Sequence, residues 1–496
     1  MKKRPMLKRL PLLLVAVALT AVAQTQKEDD ARQMKRFIDA LELVRAGTAD
    51  PIDIDQAFYQ GAIPGLLRHL DPHSVFFDPG QFEQVKRMES STQKGFGTVV
   101  SVLPGRVMVL QTLPNTPSAK SGMAPGDEIL AVNNYRLDRL EFEQIIELLG
   151  QSKQKPAQLV VRRPGSVRLI DLTLVPEEMQ SPSVERAFLL EKSIAYVKVT
   201  SFEEKTGQQV REAIEKLGGE NLKGLVLDLR ANPGGLMTAA IQMASLFLKP
   251  GQTILSVHGR NVPETFEKVP EGVKPYTFPV AILVNSKTAS ASEIVSGALQ
   301  DHDRATILGE PSFGKGLVQS VYPLAGKTGL ALTTALYYIP SGRSIQKAFK
   351  VDEFALGATA AHPNERTDFK TDKGRPVPGG GGIVPDIPAQ PEPMTPFRQA
   401  MEASAAFTSF TTEFIRGKKI DENFTVSNEL LDQFRAWLND RNIQPSVREW
   451  LAERRWLQIR LRAEIFNLTL GVAKGDEIEA QNDSIIQKAL DVVKSK

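Results

Sequence analysis

Between residues 185 and 345, strand-like apolar runs alternate with amphipathic helical runs, which predicts an α/β core inside a multidomain chain. Two further observations set its surroundings. Short β runs from Gly95 to Leu174 predict a separate β-rich module, and helical texture at both ends predicts a helical N-terminal region and a helical C-terminal extension. The 496 residues suffice for three or so domains with buried cores.

Taken in order, Lys2, Lys3, Arg4, Lys8 and Arg9 precede an apolar run from Leu10 to Val22, followed by Ala21-Val22-Ala23. That is the layout of a signal peptide over 1–23, cut after Ala23. A membrane anchor needs ~20 apolar residues, and this run contains Pro11 and stops early. An exported protein, periplasmic or secreted, is therefore expected, membrane-associated only if the leader stays uncut.

Residues 24–93 are expected to be mainly helical, with Phe37, Leu41 and Val44 on one face and Pro51, Pro64, Pro72 and Pro79 as punctuation. The β-rich module, 94–176, carries strands at Thr98–Leu103, Arg106–Leu110, Glu128–Val132, Gln158–Arg162 and Leu169–Leu174. Phe142, Ile145, Ile146 and Leu149 mark a short helix between them. The core, 185–390, is marked by Leu225-Val226-Leu227 and Val280–Val284, continuous apolar runs that suit strands buried on both faces by crossover helices. Residues 347–396 are rich in Pro and Gly and are expected to be loops. The extension 391–496 holds all three Trp, with apolar faces at Leu430, Leu431, Phe434, Trp437 and Leu438 and at Leu457, Leu461, Ile465 and Leu468. Those faces either pack against the core or form a homo-oligomer interface.

Composition excludes much. With no Cys, disulfides, thiolate nucleophiles and Cys-based zinc sites are absent. Five His in no H-E-x-x-H spacing leave no metal signature, and no cofactor is implied. Lys+Arg 61 against Asp+Glu 58, without a basic block, gives no case for nucleic acid.

The run Gly309–Gly316 fits a phosphate loop until its eighth position, where Gly316 replaces Ser or Thr, and a strand-like run follows instead of a helix. Ser312-x-x-Lys315 also matches a Ser/Lys spacing, but Gly314 and Gly316 oppose the helical turn that spacing needs. Lys315 does have apolar neighbours in Phe313, Leu317 and Val318 that could desolvate its amine. Ser290 stands at a strand-to-helix turn, in a box with Glu293 that reads equally as a helix cap. Such a turn also offers backbone N–H groups to an oxyanion. Asn232-Pro233-Gly234-Gly235 follows another buried strand and could bring further amides to a substrate carbonyl. With few His and no G-x-S-x-G, a serine would need lysine as its base, His302 being the remaining alternative. A free lysine titrates near ~10.4, so serving near neutrality asks roughly 4 kcal/mol of environmental preference for the neutral amine.

Asn285–Glu293, Ala298-Leu299-Gln300-Asp301, Phe313–Gln319 and Asp228–Leu236 together resemble the signature of the carboxyl-terminal processing (tail-specific) proteases, with correspondences from Leu70–Ser74 to Pro385-Asp386. The resemblance implies a serine endopeptidase with a Ser/Lys dyad on a crotonase-like α/β core carrying a PDZ domain. Mapped onto this chain, Ser290 is the nucleophile, Lys315 the general base and Gln319 its orienting partner. Amides of Gly234, Gly235 and Ala291 would form the oxyanion hole. Ser292 is a structural hydroxyl and Asp301 a structural carboxylate. Gly95, Phe96, Gly97, Thr98 and Val99 would capture the C-terminal tail of a protein or peptide substrate as an added strand. A non-catalytic PDZ scaffold on a protease-like fold and a Ser/Lys amidase for small molecules are the alternatives.

Overall fold

The computed structural model describes residue 29 and residues 31–89, 92–103, 105–153, 155–180, 182–347 and 368–496. The leader expected over 1–23 lies outside them. Among the described residues, no helix is long and apolar enough to cross a membrane.

The core is a six-stranded sheet, order β10-β11-β12-β15-β16-β19 (Val184–Glu191, Ile194–Val199, Gly224–Asp228, Val280–Val284, Ala305–Gly309, Ile387–Pro388). All neighbours are parallel except β10 with β11. Its inner strands Gly224–Asp228, Val280–Val284 and Ala305–Gly309 are buried at every position because both faces are covered. Leu225, Leu227, Val280, Ile282 and Val284 point to one face, where the helices Thr206–Leu217, Met237–Ser245 and Ala291–Asp301 pack. Val226, Ala281, Leu283 and Leu308 point to the other, and meet Ile485, Ile486, Ala489, Leu490 and Val493 of the helix Ser484–Lys494.

The terminal extension is thus two things. Its Leu430/Phe434 and Leu457/Leu461 faces pack on each other in a helical unit of their own, whereas its final helix roofs the core sheet. Leu490→Ala should lower unfolding free energy by about 2–5 kcal/mol, read from the denaturant midpoint. The same change at the exposed Leu451 should stay within about 0.5 kcal/mol.

A second sheet, order β1-β18-β13-β14 with β17 also on β18, joins Val75–Phe77, Gly329–Tyr338, Thr253–Gly259, Val262–Lys268 and Leu317–Pro323. The region 24–93, expected to be mainly helical, also contributes a strand here. Asp71 Oδ1 accepts from the amides of His73 and Ser74 at 2.7 and 2.8 Å, and its Oδ2 accepts from Ser74 Oγ at 2.7 Å. This Asx-type turn ends the helical run and launches β1, which pairs antiparallel with β18, Val75 opposite Ala331.

The β-rich module is the sheet β3-β4-β5-β7-β8 (Thr98–Leu103, Arg106–Thr112, Glu128–Val132, Ala157–Arg162, Ile170–Leu174) with the helix Phe142–Ser152 beside it. A ribbon of β2 (Thr92–Gly95) and β9 (Glu177–Gln180) carries the chain in and out of it. Strand β4 also touches the helical unit, where Arg106 donates to Ser409 Oγ at 3.1 Å.

Candidate active site

Strand β15 ends at Val284 and the helix Ala291–Asp301 begins seven residues later. Ser290 sits between them at φ 54°, ψ −117°, a conformation that costs a non-glycine residue about 1–3 kcal/mol. Hydrogen bonds hold it there. Its amide donates to Glu293 Oε2 at 2.8 Å, and its carbonyl accepts from the amides of Glu293 and Ile294 at 2.8 and 3.0 Å.

Glu293, expected only as a cap partner, is fully buried and does more. Its Oε2 also accepts from the Lys315 amide at 2.9 Å, and its Oε1 from Ser312 Oγ at 2.5 Å and the Gly314 amide at 2.7 Å. One carboxylate therefore clamps the Ser290 turn to the loop bearing Lys315. Burial pushes its pKa up, against the four hydrogen bonds that favour the anion. A buried glutamate reads as an anomaly in sequence, and its i, i+3 spacing to Ser290 is the one signal that could have flagged it.

Lys315 Nζ donates to Gln319 Oε1 at 2.6 Å, and Gln319 Nε2 donates to the His73 carbonyl at 2.5 Å. The backbone acceptor fixes which end of the amide faces the lysine. Burial lowers the Lys315 pKa, opposed by the negative charges of Asp71 and Glu293. Leu317 and Val318 supply that apolar setting; Phe313, expected to join them, is 49% exposed and does not line the cleft. Tyr337 Oη lies 2.6 Å from the Lys315 carbonyl and 3.2 Å from that of Ser290, a further tie between the two loops.

Ser290, Lys315, Gln319, Gly234 and Gly235 all line one cleft of about 690 Å³. Gly234, at φ 96°, could carry no Cβ: one would stand 2.6 Å from the Ala289 carbonyl and 2.8 Å from Ser290 Cβ. This close approach seats the turn against the serine. The Gly234 amide, however, donates to Asn232 Oδ1 at 2.9 Å. Of the three expected oxyanion amides it is the one already engaged, because the Asn side chain folds back two residues as an Asx turn.

The other candidates lie elsewhere. Ser292 is buried with its Oγ donating to the Asn232 carbonyl at 3.2 Å. Asp301 accepts from buried Arg343 at 2.9 Å and from the Ser341 amide at 2.9 Å. His302 binds the Thr253 carbonyl and Asp372, outside the cleft.

A second groove of about 550 Å³ runs between β3 and the helix Phe142–Ser152, lined by Gly95, Phe96, Gly97, Thr98, Val100, Val102, Ile146 and Leu149 among others. Gly97, at φ 75°, abuts Thr116 so closely that a Cβ would fall 2.3 Å from it. Val99 does not line the groove: along the strand Thr98–Leu103 the side chains alternate, so Thr98, Val100 and Val102 face in and Val99 faces away. Strand β3 is the sheet's edge, open to an added strand.

Residues 193–353 match the family model described as peptidase family S41, and residues 84–162 match that of the PDZ domain. The class is that of a PDZ-bearing S41 serine peptidase. The chain is 36% identical over 395 residues to a carboxy-terminal-processing protease of Bartonella bacilliformis, covering 75% of this chain and 89% of that one. It is 33% identical to the chloroplastic carboxyl-terminal-processing peptidase 2 of Arabidopsis thaliana and 32% identical to the carboxy-terminal processing protease CtpA of Bacillus subtilis. These matches cover 63% and 59% of this chain and 62% of each relative. A solved photosystem II D1 C-terminal processing protease aligns at 24% identity and a TM-score of 0.39, covering 72% of this chain and 87% of that one. The chain belongs to the carboxy-terminal-processing protease family of the S41 peptidases.

Proposed function

We propose that this chain is a serine endopeptidase that cleaves exported proteins selected by their C-terminal tails. The observation that carries the reading is that Ser290, Lys315 and the Gly234–Gly235 turn line one cleft. A neutral Lys315 amine, one hydrogen committed to Gln319 Oε1, keeps its lone pair for the Ser290 hydroxyl. As Ser290 Oγ bonds to the scissile carbonyl carbon, its proton passes to Lys315 Nζ. The oxyanion is received by the amides of Gly235 and Ala291, while Gly234 acts as the spacer that lets the turn approach. Collapse breaks the C–N bond, Lys315 returns the proton to the leaving amine, and water then attacks the acyl-serine by the same route.

In this reading the functional units are a tail-binding module over 94–176, a catalytic core over 185–390 and a helical extension over 391–496. The core additionally recruits Val75–Phe77 and Ser484–Lys494, which pack into its sheets. Export, through a leader at 1–23, belongs to the same proposal.

The tail would lie as an extra strand on β3, its carboxylate on the Gly95–Thr98 loop. The test is a peptide with an apolar last residue, as free acid and as amide. Amidation removes the charge without touching the scissile bond and should raise KM about tenfold, since charge-assisted hydrogen bonds are roughly twice as strong as neutral ones. A fall in kcat as well would mean that tail binding also switches the enzyme on. Equal kinetics for both peptides would remove carboxylate capture.

A further inference from the structure

The cleft beside Ser290 contains an acid that the catalytic scheme leaves unused. Glu203 lines it, immediately after Phe202, whose amide donates to the Gly234 carbonyl at 2.9 Å and whose carbonyl accepts from Leu236 at 2.8 Å. The segment is therefore bridged to the same turn that seats against Ser290. Glu203 is fixed in place: its amide donates to Thr206 Oγ1 at 2.8 Å, and its Oε1 accepts from Ser201 Oγ at 3.1 Å. Its Oε2 is buried and has no hydrogen-bond partner among the described residues. Among the described residues, the one cationic side chain lining the cleft is Lys315, and its Nζ is held by Gln319 Oε1.

A buried carboxylate oxygen without a donor is costly, and a ligand that brings a donor recovers that cost. The rest of the lining is mostly apolar or small (Val85, Leu236, Met237, Ile294, Val318), so charge recognition is concentrated at this residue. We infer that Glu203 forms a subsite for a basic side chain, Lys or Arg, of the polypeptide lying in the cleft. The inference rests on the proteolytic reading and adds an internal specificity to the tail recognition at the groove beside β3: the substrate is chosen by its end and by a cation near the scissile bond.

The experiment is a positional scan. A peptide with a free apolar C-terminal residue and Gln at each position flanking the cleavage point is compared with versions carrying a single Lys. The Lys-to-Gln ratio of kcat/KM is measured for wild type, Glu203→Gln and Glu203→Lys. Wild type should show a ratio of about tenfold at one position, as expected when a charged pair replaces an unpaired acceptor in a partly buried site. Glu203→Gln should bring that ratio close to unity, and Glu203→Lys should invert it. A wild-type ratio near unity throughout, or the same preference in Glu203→Gln, overturns the subsite. Wild type leaving every peptide uncut would instead overturn the proteolytic reading. In that case the Lys-to-Gln ratio of dissociation constants, by fluorescence anisotropy on Ser290→Ala protein with and without Glu203→Gln, still decides whether the subsite exists.

Discussion

Replacing Ser290 by Ala should leave a protein that folds and binds peptide tails but cleaves at least about 10⁴-fold more slowly, the scale on which a nucleophile acts in serine peptidases. Folding should survive because the local hydrogen bonds that hold the turn use the main chain of Ser290 and the carboxylate of Glu293. Alanine at φ 54° retains the strain already present. The measurement is degradation of an unstructured polypeptide, with circular dichroism and tail binding as controls. Full activity in the folded variant would sink the assignment of Ser290, and with it the dyad.

Lys315→Arg should be nearly as inactive as Lys315→Ala, by about 10³-fold or more, although it keeps the positive charge. A guanidinium does not deprotonate near neutrality and so cannot take the serine proton. The wild-type pH profile carries the same argument with a sign. The base works in its neutral form, and burial lowers the Lys315 pKa from that of an ordinary lysine. Wild-type kcat/KM should therefore rise with pH through an apparent pKa below the ordinary lysine range, and fall on acidification. Gln319→Ala, which frees the amine from its acceptor, should alter that limb while reducing kcat less than Lys315→Ala does. Substantial turnover by Lys315→Arg would show that only charge is required at this position.

The sequence was most legible where structure is local. The apolar runs Val280–Val284 and Leu225–Leu227 could hardly be anything but doubly covered strands, and both are. Phe142, Ile145 and Leu149 likewise lie on the helix Phe142–Ser152. The hairpin Thr253–Lys268 was not legible, since Val262–Lys268 is largely exposed and polar and lacks a clean alternation. At the candidate site, Ser290 and Lys315 drew attention by their setting and Gln319 only through the family resemblance, but the contacts that organise them join distant parts of the chain. His73 meets Gln319 across 246 residues, and a single carboxylate, Glu293, ties its own turn to a loop 19 to 22 residues away. No spacing rule reports such pairings. Periodicity reveals that a helix has an apolar face; it does not reveal what covers that face, which is why the roof formed by Ser484–Lys494 could not be told apart from the helical unit preceding it.

That roof has a consequence for the timing of maturation. A chain synthesised as far as Gln319 already contains every group of the proposed dyad. Yet one face of its central sheet remains bare until Ile485, Ile486, Leu490 and Val493 emerge, far downstream. Closing so long a loop is slow, and parallel sheets built on distant contacts fold late. A nascent protein would therefore carry its nucleophile through translation in an unfinished scaffold, and competence to cut would arrive only with the final helix. Self-digestion of unfinished siblings would thereby be delayed.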